Sequence, residues 1–172
     1  VKQIIDKIHA AGLKAGWHTF SFTIAKNDPW VSPVPHPELS VRSSLTLASD
    51  LSQNATFIPT LESPQDLPTD SGFWFRGGVD VMVGGEILTY NGLKTSPPYG
   101  LTDCVRGAYG TRAFDHKKGA ALKNLQEVFG HYVPAADSKL FDNMAIRFAE
   151  IIHTCEFDAI YLDALDGADV FA

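Results

Sequence analysis

The stretch DSKLFDNMAIRFAEIIHTCEFDAIYLDALDG, residues 137–167, decides the fold class that the sequence predicts. Its first part repeats apolar residues at the helical period, and Asp137 or Ser138 is a suitable N-cap, so we expect a helix here. Its second part, FDAIYLDALDG (157–167), is an apolar strand that stops at Asp163. A helix followed directly by a strand is half of a βαβ unit.

The beginning of the chain has the same order of elements. VKQIIDKIHAAG (1–12) predicts an amphipathic helix that ends at Gly12, and LKAGWHTFSF (13–22) predicts a short strand directly after it. Repeated helix-then-strand units indicate a parallel sheet that is covered by helices. Both ends of the chain are therefore expected to contribute to one α/β unit.

The middle of the chain, residues 27–125, has a different composition. It is rich in Pro, Gly, Ser and Thr, and it contains short alternating runs separated by turn signals such as the glycine pairs at 77 and 84. About 100 residues are too many for a loop in a compact α/β domain. We therefore expect an inserted all-β module in this range.

The composition argues against several classes of partner. The net charge is −6 and there is no basic tract, so a nucleic-acid partner is not expected. No apolar run approaches the roughly 20 residues of a membrane helix, so membrane insertion is not expected. The six His and two Cys residues have no metal-ligand spacing, so we expect neither a metal nor a cofactor.

His18 and Asp163 stand at the carboxyl ends of the two predicted parallel strands, where such sheets hold their ligand crevices. Period-two alternation places Tyr161 on the same face as Asp163. A carboxylate at this position can act as a nucleophile, as a base or as the partner of an oxocarbenium ion. The alternative is that Asp163 caps the following turn and that His18 has a structural role.

Two further residues are candidates for sugar binding. Asp166 lies close to Asp163 in sequence and could share its site, although neighbours in one loop seldom reach opposite faces of a sugar ring. Trp17 could stack against a sugar, with a place in the core as the alternative. The second acid of a hydrolase is expected beyond Ala172, because both ends of the chain look like cuts through a larger protein.

The segments IHAAGLKAGWHTFSF (8–22) and FDAIYLDALDG (157–167) resemble the middle of a glycoside-hydrolase TIM barrel of the alpha-galactosidase-like kind. The resemblance implies an α/β plus β fold. Residues 1–26 and 126–172 would form a partial (β/α) TIM-barrel segment, and residues 27–125 a large all-β insertion. It also implies a secreted, periplasmic or cell-surface protein that acts on a poly- or oligosaccharide.

The same resemblance implies the roles of the site residues. Asp163 would be the catalytic nucleophile or principal carboxylate at the end of a barrel strand. The carbohydrate substrate would be held by the remaining candidates, which are His18, Asp166, Tyr161 and Trp17. A partial barrel is expected to be inactive by itself.

The inserted module has a resemblance of its own. GEILTYNGL (85–93) and LTDCVRGAYGTRAFDHKKGA (101–120) are similar to a small β-module of phage tail and virion-associated proteins. This resemblance implies that Arg106, Thr111 and His116 form an internal network of hydrogen bonds, with contact to a ligand as the alternative. Two alternatives to the enzyme therefore remain: a non-catalytic module that binds carbohydrate or protein, and a phage-like structural module.

Overall fold

The computed structural model describes residues 1–74 and 76–171 of the chain, in which it contains two α-helices and eleven short strands. In chain order these elements are α1 (Lys2–Ala10), β1 (Gly16–Phe20), β2 (Val41–Thr46), β3 (Ile58–Pro59), β4 (Asp80–Val83), β5 (Glu86–Thr89), β6 (Gly92–Lys94), β7 (Gly100–Thr102), β8 (Ala121–Leu125), β9 (Glu127–Val128), β10 (His131–Tyr132), α2 (Lys139–Cys155) and β11 (Ala159–Asp163). Two 3₁₀ helices cover Ala108–Gly110 and Leu165–Phe171.

The strands form four small sheets. Three are antiparallel, with the strand orders β2-β8-β4-β5, β3-β7-β6 and β9-β10. The fourth sheet pairs β1 with β11 in parallel, with Phe20 opposite Asp163 in the register. The strand next to β11 thus comes from the opposite end of the chain.

The prediction of a partial (β/α) TIM-barrel segment with an all-β insertion is wrong. The helices and strands expected near both ends are present, and β1 and β11 are parallel. Among the described residues, however, this parallel sheet has only two strands, and the other sheets are small antiparallel sets that do not form a barrel. The order of helix and strand is a local signal, whereas the number of strands in a sheet depends on contacts between distant segments. The division at residues 26 and 126 stays a prediction.

Strand β4 joins the two main parts of the core because it is buried on both faces. Val81 and Val83 belong to an apolar cluster shared with the three-stranded sheet. Met82 points the other way, into a cluster that contains Leu140 and Met144 of α2. The period of two along a strand therefore places the three-stranded sheet on one side of β4 and the long helix on the other.

Helix α2 begins and ends at residues with clear capping roles. The Oγ of Ser138 accepts a hydrogen bond from the amide of Phe141 at 3.1 Å, and Glu156 ends the helix in the left-handed conformation. The helix leads directly into β11, whose last residue is Asp163. Within the described residues, no helix combines the length and apolar character needed to cross a bilayer.

Candidate functional site

The strongest candidate site is centred on Asp163, at the carboxyl end of β11. The amide and hydroxyl of Ser21 both donate to the main-chain carbonyl of Asp163, at 3.0 and 2.9 Å, and so fix the strand end against β1. On β1, His18 Nε2 lies 3.0 Å from Asp163 Oδ2. The structure therefore brings the two predicted residues into direct contact.

The carboxylate of Asp163 has two different partners. Its Oδ1 accepts a hydrogen bond from the amide of Ala164 at 2.8 Å, and its Oδ2 faces His18. The bond from Ala164 first, and the bond to His18 second, hold the pKa of Asp163 below its usual value. Asp163 thus caps its own turn with one carboxylate oxygen while the other oxygen faces an imidazole. A capping role and a role in a ligand site are therefore compatible for this residue.

Aromatic side chains form the wall of a cavity of about 230 Å³ next to Asp163. The Phe129 ring lies at the centre, 5.8 Å from the ring of Phe20 and 5.1 Å from that of Phe73. The Trp74 ring stands edge-on to Phe73 at 4.9 Å and is 86% exposed. The cavity therefore combines a broad aromatic surface with a carboxylate at its edge.

The other predicted residues have different positions relative to this cavity. Asp166 lines it, and its side chain is 77% exposed. Tyr161 is exposed and its ring contacts the His18 ring at 5.0 Å. The Trp17 ring packs against Phe148 at 5.2 Å and is not among the residues that line the cavity. A role of Trp17 in substrate binding stays a prediction.

The aromatic wall is absent from the predictions made from the sequence. Alternation along the chain suggests a strand at Phe73 and Trp74, but β4 begins only at Asp80. A signal is nevertheless present in the sequence, because consecutive aromatic residues at Phe73 and Trp74 stand in a glycine-flanked segment, and exposed apolar patches often mark binding sites. Phe129 carries no comparable signal, since its position depends on the fold.

The predicted network in the middle of the chain is confirmed, and Glu86 is its centre. Arg106 donates to both carboxylate oxygens of Glu86, at 2.7 and 2.8 Å, and His116 Nε2 lies 2.8 Å from Oε2. Thr111 Oγ1 accepts from the amide of Ile87. Burial alone would raise the pKa of Glu86, but Arg106 and His116 more than offset it and the pKa is lowered. These residues stabilise the middle of the chain from inside.

A second buried cluster contains two carboxylates and a single lysine. Lys26 Nζ lies 2.6 Å from Asp80 Oδ2 and 2.9 Å from Glu127 Oε1, and both acids are fully buried. Asp80 also accepts hydrogen bonds from Thr89 and Tyr132. Among the described residues, no donor reaches either carboxylate oxygen of Glu127 with hydrogen-bond geometry, so its contact with Lys26 is an ion pair.

The two carboxylates of this cluster consequently titrate in opposite directions. Burial raises the pKa of Glu127 to about 7, and the negative charge of Asp80 adds to the effect of burial. The pKa of Asp80 is lowered despite burial, because Lys26 and the two hydroxyl groups stabilise its charged form. Of the two carboxylates, Glu127 is therefore the one whose ionisation destabilises the folded protein.

Among the described residues, no cluster of three or more His, Cys, Asp or Glu side chains could hold a metal ion.

Comparisons with known proteins give no relative for this chain. No protein-family model, no curated protein and no solved structure matches the chain.

Proposed function

We propose that the chain binds a carbohydrate in the aromatic cavity and that Asp163 acts there on a glycosidic bond. The observation that carries the proposal is a carboxylate with a lowered pKa, in contact with a histidine, at the edge of an aromatic cavity. Aromatic rings bind the apolar faces of sugars, and carboxylates accept hydrogen bonds from sugar hydroxyls.

The lowered pKa favours some roles of Asp163 over others. A glycosidase nucleophile or base acts in its ionised form, whereas the general acid must hold a proton at the working pH. Asp163 therefore suits the nucleophile or base, and His18 orients its Oδ2. Asp166 lines the same cavity and would bind sugar hydroxyls.

A second candidate function is carbohydrate binding without hydrolysis. It is favoured by the arrangement of the acids, because both carboxylates that line the cavity belong to one short turn. Hydrolysis requires groups on two sides of the scissile bond. In this alternative, Asp163 and Asp166 accept hydrogen bonds from the sugar and no bond is broken.

The test is to measure glycan binding and release of reducing ends by the full chain, its Asp163→Asn variant and the control Asp169→Asn. The side-chain oxygen of the introduced asparagine can still accept the hydrogen bond from the Ala164 amide, so the turn is expected to fold. Asp169 is exposed and does not line the cavity. The probes are neutral oligosaccharides of glucose, galactose, mannose and xylose, together with oligogalacturonides.

Cleavage that falls at least a thousandfold in Asp163→Asn and is unchanged in Asp169→Asn would support the hydrolase. Binding without cleavage, weakened in Asp163→Asn, would support the second candidate and contradict the first. A chain that neither binds nor cleaves any probe would contradict both. Cleavage by Asp163→Asn within tenfold of the parent rate would remove Asp163 from the catalytic role.

A further inference from the structure

A second cavity, of about 350 Å³, lies beside the aromatic cavity. Arg76 connects the two. Its side chain lines the second cavity, while its guanidinium stands 5.0 Å from the centre of the Phe129 ring and donates to the carbonyl of Asp166 at 3.0 Å. Arg76 therefore contacts residues of the aromatic cavity while it lines the second one.

Arg42 is held in this second cavity by two features of the backbone. It lies between Val41 and Ser43, where the pairing of β2 with β8 shifts register. Such bulges redirect a side chain and are common next to binding sites. Gly77 leaves the space that the arginine fills, because a Cβ at that position would lie 2.5 Å from Arg42 Nη1.

The opposite wall of the cavity is also anchored to the core. It is formed by the loop that contains Asp66, Thr69 and Asp70. The hydroxyl of the buried Tyr90 donates to the carbonyl of Pro68 in this loop at 2.6 Å. This hydrogen bond fixes the loop to the core.

Arg42 and Asp66 of the second cavity are exposed and available to a ligand. Among the described residues, Arg42, Asp66 and Asp70 take part in no salt bridge. Arg76 is 4.0 Å from its acidic neighbour Asp166. Two arginines and two aspartates give the lining no net charge, which does not favour a polyanion.

The chemistry of this lining points to hydroxyl groups. A hydroxyl can accept a hydrogen bond from a guanidinium and donate one to a carboxylate at the same time. Arg42 and Asp66 together could form such hydrogen bonds with adjacent hydroxyls on a sugar ring. The aromatic cavity supplies stacking, whereas the described residues that line the second cavity supply polar groups and include no aromatic ring.

We infer that the second cavity is a subsite for a neutral sugar unit, so that the ligand is an oligosaccharide of at least two units. One unit lies in the aromatic cavity and the next lies between Arg42 and Asp66, with Arg76 between the two positions. The inference rests on the proposed carbohydrate function and adds a second binding position to it.

The test is to measure the affinity of the full chain for neutral mono-, di- and trisaccharides of each sugar by calorimetry and saturation-transfer NMR. Arg42→Ala and Asp66→Asn remove the second subsite, and Trp74→Ala removes part of the first. Arg112→Ala is the control, because Arg112 is exposed and lines neither cavity. Circular dichroism checks that each variant is folded.

We expect the affinity of the parent chain to rise with length. Arg42→Ala and Asp66→Asn are each expected to weaken binding of di- and trisaccharides about tenfold, the effect of one charged hydrogen bond, and to leave the monosaccharide unaffected. Trp74→Ala is expected to weaken binding at every length, and Arg112→Ala at none.

Three outcomes would overturn the inference. If Trp74→Ala weakens binding but folded Arg42→Ala and Asp66→Asn do not, the proposed function stands and the second subsite is refuted. If an oligogalacturonide binds more tightly than the neutral oligosaccharide of equal length, the assignment to a neutral sugar is refuted. If no saccharide binds, the proposed function fails and this inference fails with it.

Discussion

Replacing Glu127 by Gln is expected to stabilise the protein, although Glu127 is fully buried beside a lysine. The cluster holds two carboxylates for one lysine, and Asp80 has the hydrogen bonds that Glu127 lacks. Glutamine has nearly the same shape, keeps the contact with Gly78 and carries no charge. Its amide can also donate to Asp80.

The size and pH dependence of the effect follow from the pKa of Glu127. Burial raises this pKa from 4.5 to about 7. Below pH 4.5 the carboxyl group is protonated in both the folded and the unfolded state, so ionisation of Glu127 does not lower the free energy of unfolding. As the pH rises towards 7, the unfolded state releases the proton first and stability falls by about 3 kcal/mol, at 1.36 kcal/mol per unit. Above pH 7 the cost is constant.

The assay is urea denaturation of the parent chain and Glu127→Gln between pH 4.5 and pH 8, followed by tryptophan fluorescence. The advantage of the variant is expected to increase by about 3 kcal/mol over this range. The groups around Glu127 are Lys26, Asp80, Tyr90 and Tyr132, and all four are present in both proteins. An advantage that is independent of pH, or that decreases with rising pH, would refute the reasoning.

Glu86→Gln is the matched control, because Glu86 is equally buried but fully paired. Arg106 donates to both of its oxygens, and the amides of Gly107 and Phe114 donate to them as well. The side-chain NH2 of glutamine would face these N–H donors, and the charge of Arg106 would be left uncompensated. A loss of roughly 3 kcal/mol is expected at neutral pH, the lower end for breaking a buried pair. Glu127→Gln and Glu86→Gln should therefore change the free energy of unfolding in opposite directions.

Two other pairs of substitutions test the packing of the core and the start of α2. Gly78→Ala is expected to destabilise by about 3 kcal/mol, because its Cβ would overlap Glu127 Oε1 and the buried side chain cannot retreat. Gly85→Ala, whose Cβ would lie 3.7 Å from Val34, should be nearly neutral in the same denaturation assay. Ser138→Ala removes the helix cap and is expected to lower the free energy of unfolding by about 1 kcal/mol. Ser138→Thr keeps a hydroxyl and should lower it less, so equal losses would contradict the capping role.

The local signals of the sequence were sufficient for the elements near both ends of the chain. The helical period and the candidate caps Asp137 and Ser138 predicted α2, and the apolar run that stops at Asp163 predicted β11. The glycine pair at 84 predicted the turn between β4 and β5, where Gly84 has a φ of +56°. Each signal lies within a few residues of the feature that it predicts.

The sheets and the site walls were decided by contacts between distant segments. Helix-then-strand order predicted a parallel sheet and the resemblance implied a barrel, but the remaining strands pair in antiparallel sheets with partners that sequence periodicity does not specify. The cavity beside Asp163 needs Phe73, Trp74 and Phe129, which only the folded chain brings there. The pKa of Glu127 likewise depends on Lys26 and Asp80, far away in sequence. The sequence alone determined which residues could carry chemistry, whereas tertiary packing determined their neighbours and their charge.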